Sequence, residues 1–399
     1  MNIAMIVRRL NIRGGTQRQA LTLAEHLTQL GHSVEIFTFY FEPHDTFQIS
    51  AAVKVTTLEE NVVHATQGSW RAWKVVAFLR NEFLNPARLA RKIPAGFNLL
   101  NPHDQVSYRV AAVAKKRLHI PSVWIMNDPA TRALSVERCR MQGIIDERSR
   151  LKKMIDWMID AYDIRTHIVP QDAVVVLDER DAMWARSEYR IPVHILRPGV
   201  TIESFPFRER NISRTAPKLL LFGIFFPHRR FEDGIRALQL LRHRGIQATL
   251  TIAGEYAQQR AYEQSLRQLV HELGLDECVT FYGAVSDEQL ADMYLSHDVF
   301  LFPSHIQSWG IAVCEALSTG MPVIVSRTAG ASEVLTHGVH ALLHAPFDTE
   351  AIAAHVTFLT THPDVARALG KEGRALIERS LTSTAQAKAL NDVFTTYIT

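Results

Sequence analysis

The sequence predicts an α/β protein of two doubly wound Rossmann-like domains, and three observations predict that architecture. Short apolar, often β-branched runs alternate with segments of helical periodicity along nearly the whole chain. The rhythm stops at 201–217, a stretch with many charges, Pro206 and Pro217, and then restarts. The stretch 302–333, FPSHIQSWGIAVCEALSTGMPVIVSRTAGASE, holds a strand end, a turn, a helix, a second strand and a Gly-rich turn in 32 residues. Such a βαβ unit implies a parallel sheet with helices on its faces.

The elements follow in order. Asn2–Val7 is continuously apolar and reads as a buried strand. Arg8–Thr16 is a loop with Gly14-Gly15, and Gln17–Leu30 is a helix with Ala20, Leu23, Ala24, Leu27 and Leu30 on its apolar face, stopped by Gly31. Ser33–Thr38 is the next strand. Further strands are expected at Val53–Thr57, Phe97–Asn101, Pro121–Met126, Ala173–Leu177 and Val193–Arg197. After the break come strands at Lys218–Phe222, Ala248–Ala253, Cys278–Tyr282, Val299–Phe302 and Val323–Val325. Helices are expected at Phe231–Arg244, Arg260–Gly274, Asp287–Ser296, Gly310–Gly320, Thr349–Leu359, Asp364–Arg379 and Ser383–Tyr397. The domains are then 1–200 and 218–382, with 201–217 as linker and the last helix packing back on the first domain.

Two stretches interrupt the rhythm. Ser69–Lys92 mixes Trp70, Trp73, Phe78 and Phe83 with Arg71, Lys74, Arg80, Arg88, Arg91 and Lys92 against Glu82 alone, six cations minus one anion, +5. It fits an amphipathic helix on an anionic membrane surface, and equally a core-packed helix with a solvated basic face. Ala133–His167 reads as one or two long amphipathic helices.

Composition sets bounds. At 399 residues there is room for two domains, and 47% hydrophobic with 21% charged residues is globular usage. A net charge of +3 does not argue for nucleic acid. Cys139, Cys278 and Cys314 have neither paired nor metal-like spacing, which suits a reducing cytoplasm. The stretch MNIAMIV before Arg8 lacks the apolar core of a signal peptide, and no uncharged run approaches the ~20 residues of a membrane span. The expected location is cytoplasmic, extending to the inner face of the membrane if 69–92 docks there.

Two glycine-bearing turns have ligand-binding chemistry. At Gly14-Gly15 a missing Cβ lets backbone approach a phosphate or sugar, although the pattern is not a dinucleotide fingerprint and also fits a plain tight turn. Trp309-Gly310-Ile311 opens a helix whose free backbone N–H groups suit an anion, with Glu315 about one turn further in. The bland alternative is an ordinary sheet–helix contact with a surface Glu.

In order along the second half stand Gly223, Arg229-Arg230, Ile252-Ala253-Gly254, Phe281-Tyr282-Gly283, Phe302-Pro303-Ser304, Gly310, Glu315-Ala316, Gly320-Met321-Pro322-Val323-Ile324, Gly330 and Glu333. This series resembles the retaining GT-B glycosyltransferases of family 4, the group 1 transferases, closely over 218–343. Arg197-Pro198-Gly199-Val200 and Gly14-Gly15 resemble the strand end before that family's linker and its acceptor-side loop.

The resemblance implies transfer of a sugar from a nucleotide diphosphate sugar to a glycan or lipid-linked acceptor of the cell envelope, with no metal or other cofactor and no covalent enzyme intermediate. Arg229 and Arg230 would clamp the diphosphate, and Glu315 would accept from the ribose hydroxyls. Gly310 and Ile311 would offer backbone N–H groups, Val285 would lie by the base, and Gly15 and Gly254 would let backbone approach the donor. Three departures stand out. Gln307 occupies a position where the family often has Glu, and Ile224 one where it has Arg. Asn127-Asp128 stand where many relatives have His, so catalytic or hydrogen-bonding roles fall to Asn127, Asp128, His103 or Asp104, each of which also fits a strand-end cap. These departures keep a second reading open, a weak or inactive sugar-nucleotide-binding protein of the same fold. A third is a sugar-nucleotide epimerase.

Overall fold

In a computed structural model, residues 1–11, 14–59, 80–128, 149–256 and 259–398 are described. The chain forms two compact units, Met1–Arg197 with Ser383–Thr399, and Pro198–Thr382. Each is a parallel sheet interleaved with helices.

The first unit has a seven-stranded sheet in the order β3-β2-β1-β4-β5-β6-β7. The strands are β1 (Asn2–Leu10), β2 (Ser33–Phe41), β3 (Lys54–Glu59), β4 (Leu99–His103), β5 (Val123–Ile125), β6 (Ala173–Val176) and β7 (Val193–Ile195). The described helices are α1 (Gly15–Gln29), α2 (Asn85–Lys92), α3 (Ser107–Leu118), α4 (Arg150–Asp163), α5 (Glu179–Tyr189) and the chain's last helix (Ser383–Tyr397). The continuous apolar run of β1 has a simple cause. Ile3, Met5 and Val7 face one core with Leu23 and Leu27 of α1, while Ala4 and Ile6 face another with Leu89 of α2 and Val110 of α3. The last helix adds Ala387, Leu390 and Phe394 to the core that contains α1.

The second unit has a six-stranded sheet in the order β10-β9-β8-β11-β12-β13. Its strands are β8 (Lys218–Phe222), β9 (Thr249–Ala253), β10 (Val279–Tyr282), β11 (Val299–Phe302), β12 (Val323–Ser326) and β13 (Leu342–His344). Its helices are α6 (Phe231–His243), α7 (Arg260–Glu272), α8 (Asp287–Ser296), α9 (Ile311–Ser318), α10 (Thr349–Thr361) and α11 (Pro363–Ser380); the last helix of the chain is α12. Strand order reverses between β8 and β11, which places a ligand-binding crevice beyond their carboxyl ends.

Several expectations shift. β1 and β2 run three residues longer than expected, to Leu10 and Phe41, and β5 and β7 are shorter. Strand β13 carried no sequence expectation. Residues 201–217 lie in the second unit, where Arg210, 4% exposed, donates to the carbonyls of Tyr294, Leu295, His297 and Thr319. Residues 69–79 and 133–148 of the two irregular stretches lie outside the described residues. Of the first, 80–84 form a π turn and α2 follows, burying Asn85, Pro86, Leu89 and Ala90. Among the described residues no helix is long and apolar enough to cross a membrane.

Candidate functional site

In the second unit the site is organised by Phe302, the last residue of β11 and 2% exposed. Helix α9 begins against its ring. Gly310, with φ 101°, caps that helix, and a Cβ there would lie 2.7 Å from two ring carbons. The Arg229 guanidinium lies over the same ring, 5.8 Å from its centroid. It reaches that place across the end of β8, packed beside Gly223, where a Cβ would sit in ordinary contact, 3.4 Å from Arg229 Nε. A guanidinium and a helix N-terminus thus share one aromatic plate at the β8–β11 switch, an arrangement suited to a diphosphate.

Glu315 lies one turn into α9 and is 2% exposed. Its Oε2 accepts from the Tyr294 hydroxyl at 3.0 Å, and the same hydroxyl reaches Ala312 O at 3.3 Å. Tyr294 therefore orients the carboxylate from below. The neighbouring Cys314 thiol is pushed up to about 12 by burial and then by Glu315, so it stays protonated and is no nucleophile.

Gln307 precedes α9 and is half-buried. Its Oε1 accepts from His228 Nε2 at 3.0 Å, and His228 O accepts from His305 N–H at 2.8 Å. The loops after β8 and β11 are thereby tied together. Arg230 is placed differently from Arg229. It sits at φ 56° and pairs with Asp233 at 2.7 and 3.1 Å and with Glu232. Gly254 N–H donates to Tyr282 O and Gly283 O, and a Cβ on Gly254 would lie 2.0 Å from Gly223 O. Val285 is half-buried just before Ser286, the residue that caps α8, at the carboxyl end of β10.

In the first unit a second polar group gathers at the carboxyl ends of β4 and β5. His103 stands opposite Ile125, and Asp104 N–H donates to Ile125 O at 2.9 Å. Asn101 Nδ2 donates to Val123 O, so its Oδ1 faces His103 and accepts from Nε2 at 2.8 Å. The lone pair of the neutral ring is then on Nδ1, buried with no hydrogen-bond partner among the described residues. Burial pushes the His103 pKa down to about 3, which makes the ring an acceptor and a poor base. Asn127 is 5% exposed, with both amide atoms buried and likewise without a partner among the described residues.

Asp104 is pushed up to about 6 by burial and then by the Asp128 charge, with Arg8 and Arg9 from the end of β1 pulling the other way. Gly15 is the first residue of α1 and Gly14 its cap. The described residues hold no group of three or more His, Cys, Asp or Glu able to bind a metal. Tyr294, His228, Arg8 and Arg9 were not singled out from the sequence, and Phe302 stood there only as a strand end and within the motif Phe302-Pro303-Ser304, with no role given to it. Arg8-Arg9 at a strand end was a visible signal; the roles of Phe302 and Tyr294 depend on contacts between distant segments.

The comparisons bear on both halves. Residues 13–204 match the model described as Glycosyltransferase Family 4, and residues 204–376 match that of Glycosyl transferases group 1. Mannosylfructose-phosphate synthase of Agrobacterium fabrum is 24% identical over 369 residues, 84% of this chain and 76% of that protein. The structure of a sucrose-phosphate synthase from Thermosynechococcus elongatus superposes with a TM-score of 0.77 at 21% identity, covering 99% of this chain and 98% of that one. Anabaena Alr3699/HepE in complex with UDP-glucose gives 0.70 at 16% identity, covering 99% and 100%.

Proposed function

The chain belongs to the family 4, group 1 glycosyltransferases of GT-B fold, and from that premise we propose that it transfers a sugar from a nucleoside diphosphate sugar to a glycan or lipid-linked acceptor, with retention of configuration, in cell-envelope synthesis at the cytoplasmic face of the membrane. The observation that carries the donor reading is the shared plate of Phe302, with Arg229 over its ring and Gly310 against it. As the glycosidic bond breaks, negative charge collects on the diphosphate. Arg229 and the N–H groups from Ile311 onward stabilise it without reorganisation. Glu315 accepts from the ribose hydroxyls, Val285 lies by the base, and Gln307 bonds a hydroxyl of the donor sugar. Gly254 and Gly15 keep backbone close to the donor, and Arg230 adds its charge from behind Glu232 and Asp233. His103 Nδ1, Asn127, Asp104 and Asp128 receive hydroxyls of the reacting sugars. In this reading no divalent metal takes part, and a chelator leaves the rate unchanged.

The test is release of nucleoside diphosphate from UDP-, GDP- and ADP-sugars, beginning with UDP-glucose, which a structural neighbour binds. Glu315→Ala and Arg229→Ala are each expected to cut turnover about 100-fold. Undiminished release from both would remove them from the site. Nucleotide binding without turnover on any acceptor would leave a sugar-nucleotide-binding protein instead.

A further inference from the structure

Helix α4 turns its apolar side away from the fold. Leu151, Met154, Ile155, Met158 and Tyr162, spaced i, i+3, i+4, i+7 and i+11, form one stripe, and all are exposed. Trp157 flanks the stripe and is 67% exposed. The opposite side faces the protein. Asp160 and Asp163 are buried, and Asp163 accepts from Arg109 Nε at 2.9 Å, from Tyr108 at 3.4 Å and pairs with His167. An ordinary surface helix has the reverse polarity; Tyr162 meets the His167 ring edge-on at 5.5 Å between centroids, while Leu151, Met154, Ile155 and Met158 are 45–63% exposed.

The charges around the stripe indicate what covers it. Arg150, Lys152 and Lys153 are exposed at the start of α4 and Arg165 just past its end, while two of its three acids, Asp160 and Asp163, are buried and Asp156 is half-buried. Beyond the helix a groove beside Thr166 is lined by Lys116, Arg117 and His167. An apolar stripe containing Trp and Tyr and edged by cations matches the boundary between acyl chains and anionic headgroups. A second copy of this chain would bring the same cations against one another.

We propose that α4 is a membrane-docking helix that lies in the plane of an anionic phospholipid bilayer, with its stripe among the acyl chains and Arg150, Lys152 and Arg165 at the phosphates. The inference does not depend on the proposed glycosyl transfer. It places membrane contact on residues outside 69–92.

The full chain should sediment with phosphatidylcholine vesicles containing phosphatidylglycerol, much less with phosphatidylcholine alone, and progressively less as salt rises. The double change Ile155→Asp with Met158→Asp is expected to weaken binding at least about tenfold while keeping the thermal midpoint, since both side chains are exposed. The tryptophan emission of the wild type should shift to shorter wavelength on binding, and Trp157→Phe should remove most of that shift. Three results would overturn the proposal. One is undiminished binding by the double variant. Another is shielding of Trp157 from acrylamide in the free protein, which would mean another part of the chain covers it. The third is a dimer that the double variant converts to monomer.

Discussion

Asp104 combines two constraints. Its backbone is left-handed, with φ 66°, and its carboxyl is pushed up to about 6 by burial and then by Asp128. A carboxylate with a folded pKa above its unfolded value destabilises the fold when ionised. The penalty is absent well below the unfolded value of about 3.8, where both states are protonated, grows between there and about 6, and is complete above it. Asp104→Asn keeps the shape, tolerates the left-handed backbone and removes the charge. Its unfolding free energy from urea titration should exceed the wild type at pH 7.5, by on the order of 1–2 kcal/mol, with most of the pH-dependent part of the gain gone at pH 4. An unchanged difference at the two pH values would show that the carboxyl titrates normally. The two adjacent arginines give a second contrast. Arg229 lies over Phe302, while Arg230 is held by Asp233 and Glu232. Arg229→Ala should cost turnover with little change in melting temperature. Arg230→Ala should cost stability, by about 1–3 kcal/mol, because it leaves a nearly buried Asp233 without its cation.

At the level of elements, the second sheet closes its site by bringing strand ends into backbone contact. Gly254 at the end of β9, with φ 141°, lies so near Gly223 O that no Cβ fits between them. Gly254→Ala should therefore lose about 2–4 kcal/mol in chemical denaturation and weaken nucleotide binding together with it. A neutral result would mean that β8 and β9 separate easily at their ends. This contact also indicates what the sequence made legible. The alternation of apolar runs and helical periods marked most strands, and the Gly310–Glu315 spacing marked α9, because both are local patterns. Strand β13 was missed because three residues, Leu342–His344, give no period to detect. The expectation that Arg229 and Arg230 act as a pair separated into two environments, since only the fold puts Asp233 beside one and Phe302 beside the other. The Tyr294–Glu315 bond joins α8 to α9 across 21 positions and leaves no local trace.

At the level of the whole molecule, the chain order and the units do not coincide. The first unit is completed by α12, the last helix in the sequence. Ala387, Leu390 and Phe394 are fully buried in the core that contains α1, and His32 bonds Asn391 while His194 bonds Tyr397, each at 2.8 Å. The second unit contains its own core, built on Leu219, Leu221, Ile235, Leu250 and Ile252. Removing 383–399 therefore strips apolar cover from the core of the first unit. Calorimetry of the truncated chain should show loss or a steep fall of one transition, assignable to the first unit, with exposed apolar surface and a tendency to aggregate. The other transition should remain, and a nucleoside diphosphate should still raise its midpoint by mass action, because Arg229, Gly310 and Glu315 all belong to the second unit. Phe394→Ala is the milder form of the same change, with an expected cost of about 3–5 kcal/mol for an aromatic removed from a full core. If truncation lowered both transitions equally, the two units would not fold as separate cooperative blocks, and stability changes measured at the nucleotide side could no longer be assigned to that side alone.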